Sequence, residues 1–321
     1  MKLAGWIADT IKENCKGESF FDVFAGTSVV SAQIGASMKR LILNDFLQAN
    51  YVIYNAFYEK EHFSMEKLSN YKTFFQNIDV RDQNKGYFSE NYGGKYFSKN
   101  DAFKIEMIRN LIEEEKHNLN KKEYNILLAS LIYSTDRSAN TVGHYDAYFS
   151  KEPKNDKFIF DLIEPLRLKD TQVEIHKEDA NALVSKIKAD IAYIDPPYNS
   201  RQYSRFYHIY ETIVKWNQPK LYGKALKPTA ENMSEYCRNK APDVFADLIL
   251  KLQCKYFVVS YNNTYNSKSH SSRNKITIEE IKNILSKYAE IKCFAKNHSY
   301  FNAGKTAFCN HKEYLFVGKA K

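Results

Sequence analysis

Residues 19–46 read SFFDVFAGTSVVSAQIGASMKRLILNDF, and they carry the strongest fold signal in the chain. The apolar start, Ser19–Phe24, predicts a buried β-strand, and a tight turn at Ala25–Thr27 leads into a helix. A second strand is predicted at Arg40–Leu43, and the acid Asp45 follows it. This βαβ pattern favours nucleoside binding, because the glycine turn lets a ligand approach the backbone and the acid can accept hydrogen bonds from ribose hydroxyls.

A later strand-like run, IAYIDPPY, breaks on an acid and two prolines. Ile191–Ile194 is short, apolar and β-favouring, as expected of a buried parallel strand. Asp195 stands at its carboxyl end, where ligands bind in open α/β sheets. Pro196 and Pro197 fix two φ angles and remove two donors, so Tyr198 is presented on a rigid segment. The alternative is a proline turn in which Asp195 is merely exposed and Tyr198 packs in the core.

Composition favours a globular protein with a polyanionic partner. The 321 residues are 44% hydrophobic and 26% charged, which suits one large domain or one domain with a sizeable insertion. Lys and Arg number 47 against 38 Asp and Glu, for a net charge of +9. The 24 Tyr and 21 Phe are many; aromatics among basic residues suit stacking on unpaired bases, although most of them are expected in the core.

Cysteine and histidine usage predicts neither a disulfide framework nor a metal site. The five cysteines are scattered, odd in number and without a Cys-x-x-Cys pair, and the eight histidines show no metal-type clustering. Asp9 stands where a signal peptide needs its apolar stretch, and no run of 18 apolar residues occurs. The sequence therefore predicts a cytoplasmic protein without a membrane segment.

The alternation of predicted strands and helices is interrupted in the middle of the chain. From about residue 60 to 170, helical patterns at Phe103–Glu115 and Glu123–Tyr133 are separated by long polar loops, which indicates an insertion with binding segments. The predicted elements outside it are an N-terminal helix with Leu3, Trp6, Ile7 and Ile11 on one face, a strand ending near Asp179, helices from about Pro242 to Leu252 and Thr277 to Tyr288, and the strands KYFVVSYNN, IKCFA and EYLFVG.

In this order, the motifs resemble the DNA adenine-N6 methyltransferases of the Dam-like, or D12, class. Phe24–Thr27 is similar to the family's S-adenosylmethionine loop, Asp45 to its ribose-binding acid, and Asp195–Tyr198 to its catalytic motif. Similarity extends over most of the chain, through ANTVGHYDAYF, RQYSRFYHIYETIVKW, SYNN and KEYLFVGK. The resemblance implies a Rossmann-like class I methyltransferase sheet, mostly parallel with an antiparallel C-terminal strand. Residues 1–59 and 171–321 would form this catalytic domain, and 60–170 a mainly helical and loop target-recognition insertion.

The resemblance also implies a function and a set of site residues. The expected activity is methyl transfer from S-adenosylmethionine to N6 of a flipped-out adenine in double-stranded DNA, within a restriction-modification system whose endonuclease forms no stable complex. Asp195 and the Pro196 carbonyl would accept from N6, while Tyr198 stacks on the base. The expected catalytic residues are Asp195, Pro196, Pro197 and Tyr198; the expected cofactor-binding residues are Trp6, Asp22, Phe24, Ala25, Gly26, Thr27, Ser28, Asp45, Asp179 and Asp195.

DNA contacts are expected in two segments. ANTVGHYDAYF is interpreted as a DNA-facing loop, and the arginines after the catalytic tyrosine as phosphate contacts. The residues are Arg137, Asn140, His144, Tyr145, Lys151, Arg201 and Arg205. The alternative for the loop is a buried turn in which Gly143 makes the bend and Tyr148 and Phe149 lie in the core; Tyr207 and Tyr210 would be the inner face of a helix.

Two departures from the family bear on the cofactor. The chain has Ser28 where the family usually has a second glycine, and it begins without the family's usual upstream segment. A Cβ near the ligand would weaken cofactor binding; alternatively Ser28 has helical φ and ψ and caps the helix with its hydroxyl. Competing functions are amino-group methylation of RNA or of a protein glutamine, for which Asn-Pro-Pro-Tyr or Phe is more typical, and a non-catalytic DNA-binding relic.

Overall fold

The computed structural model describes residues 2–79, 86–264, 273–297 and 311–320. These residues belong to two compact units. The first unit comprises Met1–Phe46, Leu168–Gln202 and Asn232–Lys321, and the second comprises Leu47–Arg167 and Tyr203–Glu231.

The first unit is built on a seven-stranded sheet of order β3-β2-β1-β4-β5-β7-β6. β7 pairs antiparallel with both β5 and β6, and the other neighbouring pairs are parallel. The mostly parallel sheet with an antiparallel C-terminal strand is thus confirmed. The strands are β1 Ser19–Asp22, β2 Arg40–Asn44, β3 Gln172–His176, β4 Lys188–Ile194, β5 Gln253–Asn262, β6 Ala289–Asn297 and β7 Lys312–Ala320.

The two faces of this sheet differ in chemistry. Because strand side chains alternate between faces, Phe21, Ile194 and Val259 share one face, and they belong to a large apolar cluster with helical residues such as Phe245 and Ile281. The opposite face carries polar groups toward the carboxyl ends of the strands, beginning with Asp22 on β1. One face therefore supplies the core of the unit, while the other places polar side chains at the ligand-binding edge.

The helices of the first unit lie close to where the sequence predicts them, except α8, which the sequence does not predict. They are α1 Lys2–Asn14, α2 Val29–Ile34, α8 Ala180–Leu183, α11 Ala241–Lys251 and α12 Ile278–Ser286. α11 has proline in its first turn, where no hydrogen-bond donor is lost. α12 begins with a capping box between Thr277 and Glu280.

The second unit is helical. Its helices are α3 Gln48–Tyr58, α4 Met65–Gln76, α5 Tyr87–Tyr92, α6 Lys99–Glu114, α7 Lys121–Ser138, α9 Tyr203–Phe206 and α10 His208–Lys215. Its boundaries differ from the predicted insertion at 60–170, because α3 packs on α7 and α10 packs on both. The unit therefore begins at Leu47 and includes Tyr203–Glu231.

Candidate active site

The glycine turn after β1 is joined to the acid after β2. The N–H of Ala25 donates to the Asn44 carbonyl at 2.9 Å, and the N–H of Gly26 donates to Asp45 Oδ2 at 3.1 Å. Gly26 has φ +51°, a left-handed conformation that glycine adopts without steric cost. The turn and the acid are thus held together at the carboxyl edge of the sheet, as the sequence predicts.

Ser28 also has a left-handed backbone. Its φ is +54° and its ψ +20°, and its side chain makes no capping hydrogen bond to the first turn of α2. The residue is buried, with 3% of its surface exposed. The alternative of a helical Ser28 whose hydroxyl caps the helix is therefore wrong, because the turn has a second left-handed residue, after Gly26, at Ser28 itself. α2 starts at Val29 instead of Ser28.

Two acids lie at the ends of neighbouring strands β1 and β4. Asp22 is buried; its Oδ2 accepts from Ser31 Oγ at 2.6 Å, and its Oδ1 has no hydrogen-bond partner among the described groups. Burial raises the pKa of Asp22 to about 7, against the hydrogen bond from Ser31, which lowers it. Burial also raises the pKa of Asp195 to about 7. Both carboxyls therefore titrate near neutral pH, which is typical of functional sites.

The Pro-Pro-Tyr segment is fixed by the segment before α12. The Tyr198 carbonyl accepts from the Lys275 N–H at 2.7 Å, and the Tyr198 ring packs edge-on against Tyr261, with centroids 5.8 Å apart. The Tyr261 hydroxyl in turn accepts from the Ile276 N–H at 3.2 Å. Tyr198 is half-buried against the apolar core. Its ring is thus partly packed in the core and partly presented by the rigid segment, so each of the two interpretations is right in part.

A cavity of about 370 Å³ opens beside the turn in the first unit. Phe24 packs edge-on against Tyr236 with centroids 5.1 Å apart, and the Tyr236 hydroxyl donates to Asn181 Oδ1 at 2.8 Å. The volume suits a nucleoside-sized ligand. The lining residues are Phe24, Phe46, Asp179, Ala180, Asn181, Ser234, Glu235, Tyr236, Lys240, Asp243, Val244 and Asp247.

The sequence predicts Phe24 and Asp179 as ligand-binding residues, and both line this cavity. It does not predict Asn181 and Tyr236, which line the cavity as well. Asp179 caps α8, accepting from the Ala182 N–H at 3.0 Å. Asn181 and Tyr236 carry no local signal for a pocket, since one lies in a four-residue helix and the other in a short 3₁₀ turn. Only the tertiary packing of these elements brings their side chains together.

Trp6 and Thr27 are not among the residues that line this cavity. Trp6 is half-buried on α1, with Lys296 Nζ 5.7 Å from the centroid of its ring, and Thr27 is exposed. Ala25 is buried, in keeping with its backbone hydrogen bond to β2. Their roles toward a cofactor stay predictions.

Two of the residues expected to face DNA serve the second unit instead. Tyr145 is fully buried, and its hydroxyl donates to Asp136 Oδ1 at 3.2 Å. The Asn140 carboxamide donates to the carbonyls of Lys95, Phe149 and Lys151, at 2.9, 3.1 and 3.2 Å. Tyr145 is thus a core residue, and Asn140 closes a loop through its Nδ2 group.

The buried-turn alternative for this loop is only partly right. Gly143 has φ +94° and makes the bend, but Phe149 is 52% exposed and Tyr148 is half-buried against Tyr96. His144 is half-buried and stacks on Phe206, with ring centroids 4.5 Å apart.

The expected phosphate-binding cations have different environments. Arg137 and Lys151 are exposed in the second unit. Arg205, in the same unit, is half-buried and its Nη1 donates to the Pro228 carbonyl at 2.5 Å. Arg201 belongs to the first unit and is half-buried. Tyr207 and Tyr210 are half-buried and stacked on each other, and the Tyr210 hydroxyl donates to Asp136.

Within the described ranges, no group of three or more His, Cys, Asp or Glu side chains has the arrangement of a metal site. No helix in the part of the chain that the structure describes is long and apolar enough to cross a membrane.

The sheet order and the acid-Pro-Pro-Tyr edge beside a glycine turn are those of a methyltransferase of the α/β type. A family model, D12 class N6 adenine-specific DNA methyltransferase, matches residues 1–266. The chain belongs to this family. The methyl acceptor of the family is DNA adenine N6, and a methyl donor is implied by the reaction.

Curated relatives are type II modification enzymes. The chain is 31% identical over 328 residues to the type II methyltransferase M.CviAII of Paramecium bursaria Chlorella virus 1, covering 98% of this chain and 95% of that protein. It is 29% identical to type II methyltransferase M.NlaIII of Neisseria lactamica, covering 99% and 96%. It is 35% identical to modification methylase StsI of Streptococcus sanguinis, covering 85% of this chain but 42% of that longer protein.

Proposed function

We propose that this protein is a site-specific DNA adenine-N6 methyltransferase that moves a methyl group from S-adenosylmethionine to a flipped-out adenine in duplex DNA. The observation that carries the proposal is the placement of Asp195 and its rigid Pro-Pro-Tyr segment after β4, directly beside β1 and its glycine turn. Ligands of open α/β sheets bind at this edge.

The residues at this edge fit S-adenosylmethionine. The cavity beside Phe24 is large enough for a nucleoside, Asp45 stands where ribose hydroxyls would be accepted, and the Gly26 turn admits close approach. The buried Oδ1 of Asp22 lacks a partner among the described groups, which suits a cationic ligand. When bound, the cofactor supplies an electrophilic methyl group on a sulfonium. Trp6, Ala25, Thr27, Ser28 and Asp179 complete the proposed binding residues.

The chain's own groups prepare the adenine amino group. Its lone pair is delocalised into the ring, so hydrogen-bond acceptors at N6 are needed to favour a tetrahedral, nucleophilic nitrogen. Asp195 as a carboxylate and the Pro196 carbonyl are the proposed acceptors, and Pro197 keeps the segment rigid. Tyr198 offers a stacking face to the extruded base, worth about 1–3 kcal/mol.

Duplex DNA is the proposed partner, and a restriction-modification system the proposed context. The type II relatives support that context. No stable complex with a cognate endonuclease is proposed. Residues 60–170 are the proposed target-recognition segment. Arg137, His144, Lys151, Arg201 and Arg205 are the proposed DNA contacts.

Labelled methyl transfer tests the proposal. The protein is incubated with S-[methyl-³H]adenosylmethionine and either genomic duplex DNA or total RNA, and a parallel culture expressing it is subjected to methylation-sensitive sequencing. We expect label in DNA, and N6-methyladenine at one short sequence. Label in RNA instead, or cofactor binding without label in either nucleic acid, would contradict the proposal.

A further inference from the structure

A short hairpin in the second unit carries positive charge and no negative charge. Pro219–Pro228 reads PKLYGKALKP, with three lysines, one tyrosine and no acid. Tyr222 and Lys227 form an antiparallel bridge, with N–H to carbonyl distances of 2.8 and 3.0 Å, and Gly223 bends the chain with φ +68°. We call this segment the basic hairpin.

The basic hairpin is anchored to the rest of the second unit at three of its carbonyls. The donors are Tyr87 to Pro219 at 2.5 Å, Tyr96 to Ala225 at 2.9 Å, and Arg205 to Pro228 at 2.5 Å. Tyr96 is fully buried, so the middle anchor comes from the interior of the unit. Because the start, the middle and the end are all held, the hairpin has a fixed place in the unit.

The ANTVGHYDAYF loop supports the basic hairpin. The Tyr96 hydroxyl that reaches the Ala225 carbonyl also lies 2.8 Å from the carbonyl of Tyr145 in the loop. Asp146, the next residue of the loop, forms an ion pair with Lys227 of the hairpin. The loop that was expected to face DNA therefore holds a second, more basic segment in place.

The basic hairpin keeps backbone conformations that cost free energy. Gln218, just before it, and Leu226, within it, have φ +45° and +50°, in the left-handed region that residues with a Cβ disfavour. Such conformations persist where the surrounding structure holds them, and they cluster at functional sites. A looser connection after α10 would avoid this cost, so the shape of the hairpin indicates a function.

Lys220 and Lys224 are the cations that the basic hairpin presents to solvent. Both are exposed. In the part of the chain that the structure describes, neither forms an ion pair with an acid, and Glu231, the first acid after the hairpin, is paired with Lys215. Lys220 Nζ lies 5.6 Å from the centroid of the Tyr222 ring, which is 51% exposed, so the ring orients this lysine. Four residues of chain span at most about 14 Å, so both lysines can reach one stretch of a polyanion.

We propose that the basic hairpin is a DNA-binding arm, in which Lys220 and Lys224 contact phosphates of duplex DNA and the Tyr222 ring holds Lys220 in the orientation that reaches them. The inference rests on the proposed methylation of DNA, and it adds contacts to those expected from the sequence. Phosphate contacts fix the register of a protein on a duplex without reading its bases. A hairpin with lysines and no acid complements such a surface.

Fluorescence anisotropy with two labelled duplexes of unrelated sequence, over a range of salt concentrations, tests the inference. Each lysine that neutralises a phosphate contributes about 0.9 to the slope of log affinity against log salt. We expect Lys220→Gln and Lys224→Gln each to reduce the slope by about 0.9, and the double variant to reduce it by about 1.8, on both duplexes.

Lys116→Gln is the matched control. Lys116 is an exposed lysine of the same unit and also lies over a tyrosine, with its Nζ 5.0 Å from the ring centroid of Tyr124. Unlike the two hairpin lysines, it is paired with an acid, Glu113, at 3.1 Å. Its loss should leave the slope as in wild type.

Variants of Tyr222 test the role of the ring. Tyr222→Phe keeps the ring and should bind DNA as wild type does, whereas Tyr222→Leu should weaken binding by about two- to fivefold, the range of an exposed cation–π contact. Equal affinities of these two variants would overturn the role of the ring. Wild-type slopes in both lysine variants, or a loss of affinity for single-stranded DNA alone, would overturn the DNA-binding arm. Failure of wild type to bind any duplex would instead contradict the proposed partner.

Discussion

Asp195 is the residue on which catalysis is predicted to depend most. Asp195→Ala should lower the single-turnover rate of methyl transfer by about 100-fold or more, because N6 loses an acceptor as charge develops, while donor affinity falls much less. Retention of more than about a tenth of the rate, a loss below about 1.4 kcal/mol, would show the assignment to be wrong. Asp9→Ala, an exposed aspartate on α1, is the matched control.

The raised pKa of Asp195 also predicts a stability change. A carboxyl whose folded-state pKa lies above its unfolded value contributes stability at low pH and loses that contribution as pH rises through the folded pKa. With a folded value near 7 and an ordinary value near 4, the penalty is fully present at pH 8. Asp195→Asn should therefore be more stable than wild type by more than about 1 kcal/mol at pH 8, but not at pH 4.

Urea unfolding at the two pH values measures this difference. If Asp195→Asn is no more stable at pH 8 than wild type, burial of the ionised carboxyl is not destabilising, and the carboxyl has compensating partners.

Ser28 is a second residue where the structure decides between two sequence hypotheses. A left-handed φ strains a residue with a Cβ by about 1–2 kcal/mol, and glycine relieves this strain. Ser28→Gly should raise the free energy of unfolding by up to about 1 kcal/mol and tighten binding of S-adenosylmethionine without altering the DNA sequence modified. Ser37→Gly, in a 3₁₀ turn without positive φ, should destabilise instead.

Calorimetric titration of both variants and urea unfolding check this prediction. Equal dissociation constants for wild type and Ser28→Gly would show that the turn holds its conformation at no cost to the ligand.

At the scale of elements, the strands of the sheet could be predicted to within about three residues because their apolar runs are short and bounded by turn residues or charges. β1, for example, was expected at Ser19–Phe24 and is Ser19–Asp22. The helices of the second unit could not be predicted as well. α7, for example, was predicted only over Glu123–Tyr133 and is Lys121–Ser138; most of its residues are buried, on every side, so the amphipathic period by which a helix is recognised is weak. α3 was missed for the same reason.

Polar side chains in loops were the other source of error. In ANTVGHYDAYF a tyrosine and an asparagine are equally compatible with DNA contacts and with closing a loop. Only the buried position of Tyr145, and the three carbonyls that accept from Asn140, decide between them.

The core role of Tyr145 leads to a prediction for its loop. Tyr145→Leu should lower the free energy of unfolding by about 1–3 kcal/mol, because a packed ring and a hydroxyl bonded to Asp136 are lost. The salt dependence of DNA binding should not change. Phe149→Leu, at a ring that is 52% exposed, should change stability by less than about 0.5 kcal/mol. A Tyr145→Leu variant as stable as wild type but weak in DNA binding would restore the DNA-facing role.

For the whole molecule, the net charge of +9 is not spread evenly. Residues 60–170 contain 18 Lys and Arg and 18 Asp and Glu, so the segment proposed to recognise the target carries no net charge. The excess of cations lies in the rest of the chain. Attraction to the DNA backbone is therefore expected to come mainly from outside 60–170, while that segment supplies contacts that depend on shape and hydrogen bonding.

Arg201 and Arg205 test this division. Arg201→Gln should weaken binding to all duplexes alike and reduce the slope of log affinity against log salt by about one, because each phosphate contact releases about one counterion. Arg205→Gln should have the same effect on the slope and also lower stability, since its guanidinium bonds the Pro228 carbonyl. Arg238→Gln, which removes an exposed arginine paired with Glu235, should leave the slope unchanged.

Fluorescence anisotropy over a range of salt concentrations measures the slopes. Loss of affinity at one sequence only, with the slope intact, would make the arginine a reader of bases and place sequence recognition outside 60–170.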